Sequence, residues 1–101
     1  MNEQQRVAAF VDEHDLHGEP AFRVLDLAAE VGEIAADAAE STDWGTEPAE
    51  LAIATDEIGD ALFSLLAVAE SLDVDAGDAL DESLAKYEAR INETRSASSG
   101  G

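Results

Sequence analysis

At 101 residues and 10.6 kDa the chain reads as one domain, small enough that association between copies would help complete its core. A formal net charge of -19, from 24 acidic against 5 basic residues, excludes nucleic-acid polymers as partners, because their phosphate backbones would be repelled. No apolar run is long enough for a membrane span, the N-terminus lacks a signal-peptide layout, and zero cysteines excludes disulfides and thiolate metal sites, in keeping with a cytoplasmic location.

Lys86 is the one lysine, while alanine, aspartate and glutamate abound. Such a surface stays hydrated in concentrated salt and suggests a halophilic source, where screening over roughly 3 Å at 1 M would relieve self-repulsion. Most of these acids are therefore expected to be solvated surface.

The pattern is helical throughout, with no sustained alternation of period two. A first helix is predicted over 4–13, with Val7, Ala8, Phe10 and Val11 on its apolar side. The segment from His14 to Glu19 breaks it, and Pro20 suits the first turn of a second helix over 20–40. Val24, Leu27, Ala28, Val31, Ile34 and Ala35 form that helix's apolar seam. After a loop over 41–45, Thr46 reads as an N-cap with Glu47 and Pro48 in the first turn of a third helix reaching Leu72. Asp75 can cap a fourth helix over 76–95, in which Leu80, Leu84, Tyr87 and Ile91 recur every three or four residues. Residues 96–101 read as a disordered small-residue tail, leaving 1–95 as the single domain.

Two couplets of acids stand out. Glu30 and Glu33 lie three apart in the second helix, and Glu57 and Asp60 repeat the spacing in the third, so each pair shares one side of a turn. On the second helix Asp26, Glu30, Glu33 and Asp37 share a face opposite the apolar seam, which taken alone reads as a solvated charge run. The third helix is different. Leu51, Ile58, Leu62, Leu65, Leu66 and Ala69 form one broad apolar side, yet Ile53, Phe63 and Val68 fall on the other, around Glu57 and Asp60. Those two acids are expected where water is limited and need a cation or a basic partner there. With so few basic residues, a hard divalent ion held by carboxylate oxygens, magnesium or manganese, is the better candidate. Glycine recurs inside both couplets, at Gly32 and Gly59, despite a cost of about 1 kcal/mol mid-helix, which suggests close approach of a helix or a ligand.

At these residues the chain resembles the all-α MazG-like nucleoside triphosphate pyrophosphohydrolases, related to dimeric dUTPases and dCTP pyrophosphatases. Their signature is E-E-x-x-E followed by E-x-x-D. Ala29-Glu30-Val31-Gly32-Glu33 matches all but its first glutamate, and Glu57-Ile58-Gly59-Asp60 matches fully. The stretches Leu27–Ile34, Asp60–Ala67 and Ser71–Asp75 are similar to that family's as well, so the likeness spans about residues 5–93.

The resemblance implies an all-α, four-helix bundle-like domain completed by homo-oligomerisation, as a homodimer or tetramer. It implies hydrolysis of an NTP or dNTP to the monophosphate and pyrophosphate, with Glu30, Glu33, Glu57 and Asp60 as magnesium ligands and catalytic groups. Many members carry a phosphate-contacting lysine and an asparagine in the last helix; here those positions are Ser83 and Tyr87. Lys86 and Arg90, one turn apart, are the substitutes that could reach the phosphates, or they simply balance local acids such as Glu82. Trp44 could stack on a nucleobase or cover the end of the helix hairpin. The alternative to an enzyme is a catalytically silent helical assembly or partner-binding module that keeps the family fold.

Two weaker signals carry no function. His14 and His17 lie in a loop with no third nitrogen ligand nearby and read as surface residues. The segment from Asp73 to Asp78 superficially resembles a calcium loop, but has Asp78 where its sixth-position glycine belongs and Leu84 where its bidentate glutamate belongs.

Overall fold

Proline and aspartate start two of the helices where the sequence places them. In the computed structural model, which describes residues 2–100 and the side chains of 2–95, α1 runs over Asn2–Glu13, α2 over Pro20–Ser41, α3 over Thr55–Ser71 and α4 over Ala76–Gly100. No strand occurs among the described residues. Pro20 occupies the first turn of α2, its missing N–H costing nothing there. Asp75 Oδ1 accepts the Asp78 N–H at 2.8 Å and so caps α4. The backbone of α4 continues past Arg95 to Gly100, and the expected tail over 96–101 lies outside the residues whose side chains are described.

The start of α3 departs from expectation. Thr46 does not cap a helix: its hydroxyl donates to the Asp43 carbonyl at 2.8 Å and closes a turn. Pro48–Glu50 forms a single 3-10 turn, Leu51–Ala54 is a strap without helix, and α3 begins only at Thr55. The strap is held by α2. Ser41 Oγ accepts the Ala52 N–H at 3.0 Å, and Asp37 Oδ2 accepts the Ala54 N–H at 3.4 Å. These amides are thereby taken by side chains of α2 instead of by carbonyls one turn earlier. Leu51 and Ile53 consequently do not belong to the helical faces assigned to them.

Helix α3 is the centre of the molecule, packed along α2 and, over a smaller area, against α1. Phe10 and Phe63 meet edge to face with centroids 5.9 Å apart, joining α1 to α3. Leu66 and Ala67 of α3 and Val11 of α1 are the buried apolar residues. That is a meagre core. Ile58, Leu62 and Leu65, expected on the apolar side of α3, are about half exposed, as are Val24 and Val31 of the α2 seam.

Among the described residues helix α4 has only marginal contact with this three-helix body. Its stripe of Leu80, Leu84, Tyr87 and Ile91 is also about half exposed. The Cα radius of gyration is 17.8 Å, against about 13 Å for a compact chain of this length. One chain thus supplies three packed helices and a fourth that projects, instead of a bundle closed on itself. Among the described residues no helix is long and apolar enough to cross a membrane.

Candidate metal and phosphate site

The inward face of α2 keeps only Leu27 and Ile34 of the expected apolar seam. The half-buried positions are Pro20, Arg23, Leu27, Glu30, Ile34, Asp37, Ala38, Ala39 and Ser41, most of them spaced by threes and fours along one side of the helix. Glu30 and Asp37, read from sequence as part of a solvated face, lie within this stripe. Leu27 and Ile34, half-buried apolar residues, flank Glu30 by one turn on either side.

Across the seam, α3 presents Glu57, half buried, in its first turn. Asp60 and Glu33 are exposed, so the expectation of restricted water holds for Glu57 and not for Asp60. The difference is one of helix rotation: three residues advance the helix by about 300°, which carries Asp60 towards the rim while Glu57 faces the seam.

The couplets are electrostatic neighbours. Burial, then the charges of Glu33 and Asp60, hold the Glu30 carboxyl above its ordinary range. The side chain of Asp37 meets that of Glu57, and this contact, with burial and the charges of Asp37 and Glu33, pushes Glu57 up to about 7. Two ionised carboxylates cannot hydrogen-bond to each other; such a contact needs a shared proton. Oxygen Oε2 of both Glu30 and Glu57 is buried and has no hydrogen-bond partner. A buried carboxylate oxygen without a donor is costly. Protonation at low pH would relieve that cost, and so would a cation at neutral pH.

Among the described residues no three or more His, Asp or Glu side chains form a ready metal-ligand set. The four acids are adjacent without being assembled into a coordination shell. Their chemistry nevertheless fits a hard divalent ion: oxygen donors only, concentrated negative charge, and two inward oxygens lacking a partner.

Glycine within the couplets has no close neighbour. A Cβ built on Gly32 or Gly59 would meet nothing within 4 Å, so tight helix-to-helix approach inside the chain is not the reason for either. Gly59 and Asp60 instead line a groove of about 770 Å³ between α1 and α3, walled by Phe10, Phe63 and Leu62, with Arg6 at its edge. Arg6 lines the same groove as Asp60 and was passed over in the sequence, since nothing in the 3.6-residue pattern of α1 distinguishes it.

The other expected substrate contacts are not brought to the acids within one chain. Lys86 and Arg90 lie on α4, with the Lys86 ammonium 5.2 Å and the Arg90 guanidinium 6.0 Å from the Tyr87 ring centroid. Trp44 is 83 % exposed, so it does not cover the end of the α2–α3 hairpin. It is held outwards by a turn in which Asp43, Trp44 and Gly45 all have positive φ. His14 and His17 are surface residues as expected, His17 Nε2 lying 2.7 Å from Asp12.

Comparison with protein-family models finds a match over residues 21–94 to the MazG nucleotide pyrophosphohydrolase domain. No individual curated protein and no solved structure matches the chain. The matched segment begins one residue into α2, contains both acid couplets, and takes in α4 as far as Thr94.

Proposed function

The chain belongs to the MazG nucleotide pyrophosphohydrolase domain family, and from that premise we propose that it is a magnesium-dependent enzyme converting an NTP or dNTP to the monophosphate and pyrophosphate. The observation that carries the site assignment is the pair of buried, partnerless oxygens on Glu30 of α2 and Glu57 of α3, each with the Glu33 charge beside it. Glu30, Glu33, Glu57 and Asp60 would hold the ion. Bound magnesium, with manganese as its substitute, would screen the triphosphate charge and lower the pKa of a coordinated water. It also supplies the attraction that a chain of net charge -19 lacks for an anionic substrate.

The chain's own residues then have distinct tasks. Glu30 and Glu57 lie inward and fix the depth of the site; Glu33 and Asp60 lie at its rim, where substrate enters. Lys86 and Arg90 are assigned to the phosphates. Because α4 projects from the body that bears the acids, we place them at the site of a second copy, in a homodimer or tetramer that also covers the α4 stripe. Trp44 is assigned to the nucleobase, its full exposure leaving its ring free to stack. The reaction suits cytoplasmic control of nucleotide pools.

Incubation with a panel of NTPs and dNTPs plus magnesium should release pyrophosphate, and Glu57→Gln should abolish it. The rival reading is a silent helical module, favoured by Ser83 and Tyr87 at the family's lysine and asparagine positions. Magnesium titration at fixed high salt separates the two. A gain in thermal stability that requires the four acids supports the enzyme, and its absence supports the module.

A further inference from the structure

Helix α3 begins without a cap of its own. Its N-cap residue is Ala54, which has no side chain to offer the first turn. Glu57 occupies the third position of the helix, from which a glutamate normally reaches back to the N–H of the N-cap residue. Left to local preference, the Glu57 carboxylate would fold onto the Ala54 N–H and away from Glu33.

The structure directs that N–H elsewhere. It points at Asp37 Oδ2 on α2, 3.4 Å away, while Glu57 Oε2 remains inward without a donor. Asp37 lies one turn before Ser41, whose Oγ donates to the Asp37 carbonyl at 2.7 Å and accepts the Ala52 N–H at 3.0 Å. Together the two side chains hold alternate amides of the strap, so the entry to α3 is set by α2. Asp37 belongs to neither acid couplet.

We infer that Asp37 is a positioning residue: by accepting the Ala54 N–H it takes over the local bond that Glu57 would otherwise make, and so keeps the Glu57 carboxylate in the acid cluster. The functional consequence rests on Glu57 being a metal ligand, as proposed above; the division of hydrogen bonds between Asp37 and Glu57 does not. In Asp37→Ala, Glu57 turns back to Ala54 and leaves the cluster. In Asp37→Asn the amide oxygen still accepts from Ala54, and the amide N–H₂ can donate to Glu57.

Amide hydrogen exchange at Ala54, read by NMR, tests this without any metal. Glu57→Ala in the native background should leave Ala54 exchange unchanged, because Asp37 holds that N–H. The same change on Asp37→Ala should accelerate it by about fivefold, the effect of one lost hydrogen bond. On Asp37→Asn it should again have no effect. Equal exchange in Asp37→Ala and in Asp37→Ala/Glu57→Ala would overturn the inference. Manganese binding, followed by its paramagnetic resonance signal, provides the second readout. Asp37→Ala should weaken binding by about 10- to 100-fold, as loss of a group orienting a ligand does, and Asp37→Asn should restore most of it. Undiminished binding by Asp37→Ala, where Glu57→Gln binds poorly, would likewise overturn it. A native protein that binds no manganese would instead sink the metal reading, with Ala54 exchange still deciding the role of Asp37.

Discussion

Gln4 and Val74 are joined across most of the chain. The Gln4 amide nitrogen donates to the Val74 carbonyl at 2.7 Å, and its amide oxygen accepts the Ala76 N–H at the same distance. Gln4 is 5 % exposed, so both bonds are shielded from water. One side chain of α1 thereby sets where α4 departs, although α4 itself packs little on the body.

Replacing Gln4 by alanine leaves a carbonyl and an N–H without partners on either side of Asp75. We expect a loss of about 1–3 kcal/mol, measured by urea unfolding at constant salt. Gln4→Glu keeps the acceptor for Ala76 but sets a carboxylate against the Val74 carbonyl, and should be destabilised as well. A neutral result for both would show that the clamp contributes nothing.

The raised Glu57 carboxyl makes metal-free stability depend on pH. Its folded value of about 7 lies above the ordinary 4.5, so the folded state binds a proton more tightly than the unfolded one. That contribution is present in full below about 4.5 and is lost as pH rises through 7. The melting temperature of metal-free protein should therefore fall across this window, and Glu57→Gln should flatten the slope. Magnesium should raise stability most at and above neutral pH, where the carboxylate is ionised. A native slope identical to that of Glu57→Gln would contradict this.

The exposed stripe of α4 predicts association. These side chains are already about half buried, so covering Leu80, Leu84 and Ile91 against a second copy would contribute about half of the roughly 1.5–3 kcal/mol that complete burial of each is worth. Leu84→Asp should yield a monomer by light scattering while helical content is kept. An unchanged mass would remove α4 from the interface.

Trp44 provides both a stability and a binding test, since it is the single tryptophan. Its φ of 57° is left-handed, which costs about 1–2 kcal/mol for a residue with a Cβ. Trp44→Gly should recover part of that in thermal unfolding. If the ring stacks on the base, its fluorescence should be quenched by nucleotide plus magnesium, and Trp44→Gly should raise KM more than it lowers kcat. Unaltered fluorescence at saturating nucleotide would exclude Trp44 from the site.

Much of the helical layout was legible in the sequence. Pro20 and Asp75 marked two helix starts, and the period of Leu80, Leu84, Tyr87 and Ile91 marked α4. The start of α3 was not, because Thr46, Glu47 and Pro48 carry a genuine local helix signal, whereas the Ser41 and Asp37 side chains take the Ala52 and Ala54 amides eleven and seventeen residues further on. The inward face of α2 was also misread. Apolar Val24 and Val31 are about half exposed, while Glu30 and Asp37 join Leu27 and Ile34 on the half-buried side, a breach of the usual rule that sequences tend to reserve for functional positions. The couplets themselves were legible from spacing, yet Asp37 was lost among 24 acids because its partner, the Ala54 amide, leaves no mark in the sequence.

The most direct measurement is pyrophosphate release from an NTP and dNTP panel by native protein, Glu57→Gln and Asp60→Asn, each with magnesium and with chelator at constant ionic strength. Magnesium-dependent release by the native protein, abolished in both variants while they remain folded, is the predicted result. Activity that persists in Glu57→Gln or Asp60→Asn, or that is indifferent to the chelator, would contradict the carboxylate site.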